Sequence, residues 1–285
     1  MAKSYEELTF ADDFMFCKIM ESDQDLCREL TELILGRKIG GILTIDKQKP
    51  IEVTADGRGV RFDIYMMEDN QTVYNIEMQA GPIDDLPCRT RYYQGMIDLD
   101  LMERGAKFYE LKNSYIIFIC LENLFPEIGL HKYSFAMMCR ECQNLELGDR
   151  SHRIIISAKG DQNDVSEELQ AFLSYLTSGT PETDLTKRLD HHVQEARSHI
   201  VWRKEYMTLL ERDERMREEG RVEGFEKGHK EGREEGREEE RKNTLREKAR
   251  ADEAEKQAEE AKKQVEEAEK QISLLKEQLS GLKAE

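Results

Sequence analysis

Ten residues near the end of the chain, Ala251, Ala254, Ala258, Ala261, Val265, Ala268, Ile272, Leu275, Leu279 and Leu282, are spaced alternately by three and four positions without a break. Only an α-helix gathers such a set onto one stripe, and a stripe that repeats every seven residues is the seam of a coiled coil. Val265 and Ile272 at one seam position, with Leu275 and Leu282 at the other, favour a parallel two-stranded coil. Alanine fills the first half of the seam, so that half is thin. Glu259 with Lys263 and Glu266 with Lys270 add helix-stabilising pairs of about 0.3 kcal/mol each.

The seam closes a longer segment with no core of its own. From Arg203 to Glu285 there are 25 acidic and 21 basic residues and no proline, whereas all five prolines and nearly all aromatics precede it. Only residues 1–202 can bury a sizeable core, which makes them the folded domain. Within 203–250, Gly220, Gly224, Gly228, Gly232 and Gly236 recur every fourth position. Each costs a helix about 1 kcal/mol relative to alanine, so this stretch reads as a charged linker, weakly helical and able to hinge, or as a stripe for close helix packing. Residues 251–285 form the coiled coil, and through it copies of the chain would join as a homodimer or higher oligomer.

The charge balance bears on partners. The tail carries −4 of the total −17, which leaves −13 on the folded part and opposes avid binding of a polyanion unless basic residues are gathered locally. The six cysteines lie mostly in apolar or helical patterns and the N-terminus lacks an apolar leader, so a cytoplasmic protein with reduced thiols is expected. No apolar run approaches 18 residues, and no membrane span is expected. Cys139 and Cys142 form one CxxC without a second ligand pair, and His191-His192 lacks partner ligands; neither reads as a metal site.

Inside residues 1–202 the pattern alternates between helical and strand periods. Thr9 followed by Asp12 predicts a capping box, with helices over Phe10–Met20 and Leu26–Ile34, the second closing near Gly36. Strands are expected at Ile42–Ile45, Ser114–Cys120, Lys132–Met138 and Arg153–Ser157, and helices at Arg89–Leu101, Val165–Thr177 and from Leu185 onward. Two alternating segments, Arg61–Tyr65 and Val73–Gln79, flank the turn residues Glu68-Asp69-Asn70-Gln71. In a hairpin centred on residue 70, facing residue numbers sum to 140, which sets Asp63 opposite Glu77 with Cβ atoms about 5 Å apart. Glu77 and Gln79 then share one face.

Like charges directly opposite repel, so this pair calls for a cation. Carboxylates with a backbone carbonyl make a hard oxygen site suited to Mg²⁺, with Mn²⁺ as a substitute, and such an ion lowers the pKa of a bound water. Gln79 could hold that water.

ADDFMFCKIM, RFDIY, VYNIEMQAG, LPCRTRYYQGMIDLDLM and YIIFIC occur here in the order found in the recombination-promoting nuclease and transposase family, which resembles a branch of the PD-(D/E)XK nucleases. The similarity runs from about Thr9 to about Tyr175. It implies an α/β restriction-endonuclease-like core, a small mixed sheet flanked by helices, and a Mg²⁺-dependent endodeoxyribonuclease linked to DNA recombination. It makes Asp63 and Glu77 the catalytic, metal-holding acids and sets Gln79 where the superfamily has lysine. Glutamine removes a positive charge that would stabilise the transition state; Arg91 is expected to supply it, with Tyr93 in support. Asp13 matches a further acidic ligand of related nucleases, although a first-turn carboxylate is also favoured by the helix macrodipole. Arg58, Arg61 and Arg89 are the expected DNA contacts. The rival reading is a nuclease-fold protein of weak or no activity that acts as an oligomeric scaffold, and the residues themselves do not separate DNA from RNA.

Overall fold

The computed structural model describes residues 3–51, 59–69, 71–81 and 83–281, with backbone alone at 47–48 and 274–281. The chain divides into two compact units, 1–210 and 211–285.

The first unit is built on a mixed sheet of six strands: β1 (Ile42–Ile51), β2 (Val60–Glu68), β3 (Thr72–Gln79), β4 (Asn113–Cys120), β5 (Lys132–Phe135) and β6 (Ser151–Ser157), in the order β1-β2-β3-β4-β6-β5. β1, β2 and β3 form an antiparallel meander, β3, β4 and β6 run parallel, and β5 lies antiparallel on β6. The parallel strands read as continuous apolar runs because both of their faces are covered. On one face, Ile64, Met66, Tyr74, Ile76 and Met78 pack with the helices α1 (Asp13–Ser22), α2 (Gln24–Leu35), α4 (Glu167–Ser178) and α5 (Asp184–Arg197). On the other, Tyr65, Val73 and Phe118 pack with α3 (Leu86–Leu101).

Local chemistry explains the helix ends. α2 is capped by Asp23, whose side chain accepts from the Leu26 N–H, and it stops at Gly36 in the left-handed region at φ 74°. α1 begins later than the Thr9 pattern predicts. Asp12 is its N-cap, and the Thr9 N–H and hydroxyl donate to the Asp12 carboxylate in the turn before the helix, while the Asp12 N–H goes to the Thr9 carbonyl, so only half of the box forms, and outside the helix. β5 ends at Phe135 rather than Met138; Met138 instead makes an isolated bridge to Glu146 in the following loop. β1 continues to Ile51, past Pro50, which an edge strand tolerates.

The last helix, α6 (Ile200–Gly281), follows a break at Ser198-His199. Its start belongs to the first unit: Trp202, Tyr206 and Leu209 pack against Tyr5, Leu8, Phe14 and Met15. The buried Lys18 pairs with Glu205 there. In the second unit the helix runs unbroken through all five glycines, flanked by ion pairs such as Arg221 with Glu218 and Lys242 with Glu238. Leu282, the last seam residue, lies outside the described residues. Among the described residues no helix is long and apolar enough to cross a membrane.

Candidate metal centre

β3 carries Glu77 and Gln79 on the face opposite Ile76 and Met78, as a period of two requires. Facing numbers on β2 and β3 sum to 140, from Glu68 with Thr72 through Ile64 with Ile76. The backbone ladder stops there, one pair short of Asp63 and Glu77. Beyond that point the two acids replace backbone acceptors: Asp63 Oδ2 accepts the Met78 N–H at 3.0 Å, and Glu77 Oε1 accepts the Asp63 N–H at 3.2 Å. The carboxylates themselves tie the strands together where the ladder ends.

A third acid reaches the same spot. Asp13, in the first turn of α1, Cys17 one turn later, and Asp63 each bring a ligand atom within 4.8 Å of the others. Among the described residues this is the group of His, Cys, Asp and Glu side chains close enough to hold a metal ion. Cys17 is a poor ligand in it. Burial, then the charges of Asp63 and Asp13, push its thiol far up, and Sγ donates to Asp13 Oδ1 at 3.3 Å. What remains of the group is the carboxylates of Asp13 and Asp63, the donor type that suits a hard divalent cation, with Glu77 outside the group and tied to Asp63 through the Asp63 N–H.

The electrostatics make the same point. Asp63 is raised well above the usual carboxylate range, first by burial and then by the charges of Glu77 and Asp13. Burial also pushes Glu77 up to about 7, against the lowering effect of the Asp63 N–H, Asn75 and Arg89. Three acids gathered in a partly dry site repel one another, and a divalent cation would remove the repulsion. The residues present therefore fit such an ion.

Gln79 is half-buried at the end of β3, and Arg89 Nη1 donates to its Oε1 at 2.9 Å. The Arg89 guanidinium lies 5.0 Å from the centre of the Phe118 ring and 5.6 Å from that of Tyr93. The positive charge beside Gln79 thus comes from Arg89, not from Arg91. The two are about 200° apart on a helix, so when Arg89 turns to the sheet, Arg91 stays exposed. Tyr93 stacks edge-on against Phe62 at 5.1 Å, and burial pushes its hydroxyl up to about 12. Arg61, Arg89 and Arg91 line one cavity between the start of β2 and α3. Arg58 lies outside the described residues.

Of the residues that the sequence singles out, the fold brings Asp13 to Asp63, ties Asp63 to Glu77, and joins Gln79 to Arg89, a contact that the sequence reading does not contain. The usable signal was the position of Arg89 in the first turn after the Asp85-Leu86-Pro87 helix start, where a side chain can point back along the helix toward its N-terminal end. His191 and His192 lie beside each other and beside the carboxylates of Glu195 and Asp23, at 3.3 Å from Asp23 to His192. Cys139 and Cys142 are free thiols, one half-buried and one exposed.

The family model for the PD-(D/E)XK nuclease family transposase matches residues 11–223, a span that holds every side chain of this site. No curated protein and no solved structure matches the chain. The match covers most of the sequence and agrees with the mixed sheet and its helices, so this chain belongs to the PD-(D/E)XK nuclease family of transposases.

Proposed function

We propose that the protein is a metal-dependent endonuclease that hydrolyses phosphodiester bonds of DNA in recombination or transposon-type events, with Mg²⁺ as the ion. Membership of the family implies a nuclease-type hydrolase, and nucleases of this kind typically use divalent metals. The observation that carries the reading is the approach of Asp13 to Asp63 at the end of the β2–β3 ladder, where Glu77 accepts the Asp63 N–H.

Asp63 and Glu77 would hold the ion, with Asp13 completing the oxygen set. The ion, when bound, would acidify a water and offset charge on the scissile phosphate. Gln79, fixed by Arg89, would orient the attacking water or a phosphate oxygen through its amide. Arg89 faces the charge that builds in the transition state and does the electrostatic work of the absent lysine. Arg61 and Arg91 would contact neighbouring phosphates, which answers locally the −13 on the folded part. Tyr93 buttresses Arg89.

Replacing either acid, as Asp63→Ala or Glu77→Ala, is expected to abolish nicking of plasmid DNA in Mg²⁺ while the fold is retained. Unchanged nicking by either purified variant would refute the assignment. One observation favours a second reading, an oligomeric scaffold of weak or no activity: the lysine place holds a neutral amide. Calorimetry with Mg²⁺ or Mn²⁺ separates the two, because the scaffold requires no divalent binding that depends on Asp63 and Glu77.

A further inference from the structure

Beside the carboxylates, between the start of β2 and α3, lies a cavity of about 700 Å³. That is within the size range of small-ligand sites, roughly 300–1,000 Å³. Arg89 and Tyr93 belong to both places: Arg89 touches Gln79 and also lines the cavity. The wall has two chemistries. Arg61, Arg89 and Arg91 contribute three guanidinium groups against one carboxylate of the described lining, Asp85. Tyr92, Tyr93, Met96 and Leu99 contribute aromatic and aliphatic surface, of which Tyr92 and Leu99 are 43% and 58% exposed.

A groove that only tracked a phosphate backbone would need the guanidinium groups alone. An aromatic and aliphatic wall next to them suits a planar base attached to the phosphate. Gly95 adds a separate observation. It lines the cavity from the middle of α3, and a Cβ built there would meet nothing within 4 Å. Neither packing nor a positive φ calls for glycine at this point of a helix. Its effect is to leave the cavity wide.

We propose that this cavity receives one nucleotide of the substrate strand, splayed out of the base stack beside the scissile phosphate. Its phosphates would meet Arg61, Arg89 and Arg91, and its base would lie on the tyrosine and aliphatic wall. The inference rests on the nuclease reading and narrows its substrate to nucleic acid with an unpaired or easily unpaired nucleotide at the cut. Extruding a base costs least where it is already unpaired, so the cavity turns that difference into selectivity.

The test uses the full chain with Ca²⁺ in place of Mg²⁺, so that binding is read without turnover. A fluorescent, fully paired DNA duplex is compared with the same duplex carrying one bulged nucleotide. The wild type is expected to bind the bulged duplex roughly tenfold more tightly. Gly95→Trp, which fills the cavity without touching the carboxylates, is expected to bring the two affinities within about twofold of each other. Should that variant melt below the wild type, Tyr92→Ala takes its place with the same expected loss. Equal affinities in the wild type, or a preference that survives in the folded variant, would overturn the proposal. Tight binding of free deoxyadenosine monophosphate with no preference between the duplexes would overturn it too, by assigning the cavity to a mononucleotide. A chain that keeps the preference but never nicks in Mg²⁺ fails the hydrolytic reading alone and leaves the cavity proposal standing.

Discussion

Glu77 is a side chain whose protonation the fold shifts. Its proton is held up to about 7 in the folded chain, against 4.5 for an ordinary glutamate, chiefly because it is buried. A carboxyl raised in this way takes up protons on folding, so the folded state loses stability as pH rises from about 4.5 through about 7. Each tenfold difference in proton affinity between the folded and unfolded chain corresponds to about 1.4 kcal/mol. Without divalent ions, the melting temperature of the wild type is therefore expected to fall across that window relative to Glu77→Gln. Adding Mg²⁺ above the window should reverse the fall, since the ion takes over the role of the proton. Parallel melting profiles for the two proteins would rule out Glu77 as the source. The position of Glu77 was legible in the sequence: the odd-length turn and the alternation of Val73–Gln79 set both its register and its face. The choice between Arg89 and Arg91 was only hinted at by the first-turn place of Arg89, because both follow the motif on one helix and the docking of α3 decides which one turns to the sheet.

At the scale of elements, α3 shows how a helix can be weakened to leave space. Gly95 sits in its interior, and Gly95→Ala is expected to raise stability by up to about 1 kcal/mol, seen as a melting temperature a few degrees higher. A lower melting temperature would mean that packing, not the open cavity, explains the glycine. α1 makes the contrasting case. Its apolar spacing was readable, and so was an acid near its start, but a first-turn aspartate has a sufficient local reason in the helix macrodipole. That Asp13 meets Asp63 depends on α1 crossing the sheet where the β2–β3 ladder ends, a relation between segments about 50 residues apart. The ladder itself was foreseen one pair too long, since nothing local says that two side chains will displace backbone acceptors.

For the whole molecule, the division into a folded part and a charged helix was plain from the distribution of prolines, aromatics and charge. Where the folded part ends was less so. Trp202, Tyr206 and Leu209 extend it to about residue 210, because the first turns of α6 cover the aromatic cluster of Tyr5 and Phe14. Further on, the seam residues Val265 and Ile272 are 59% and 52% exposed in the single chain. β-Branched side chains left in water along a heptad stripe are what a partner helix would cover. Deleting residues 251–285 is expected to lower the oligomeric state, and an unchanged mass by light scattering would dismiss the coiled coil.

The sequence by itself determined what depends on spacing along one segment: the heptad seam, the two faces of β3, the register of the hairpin, and the acid pair that register brings near. Those follow from the 3.6- and two-residue periods of the backbone. Only the tertiary structure decided which distant groups share a site with that pair. Asp13 and Arg89 arrive on helices from opposite faces of the sheet, and the burial that raises Glu77 exists only once both faces are covered. The proximity of those groups comes from packing, which no single segment encodes.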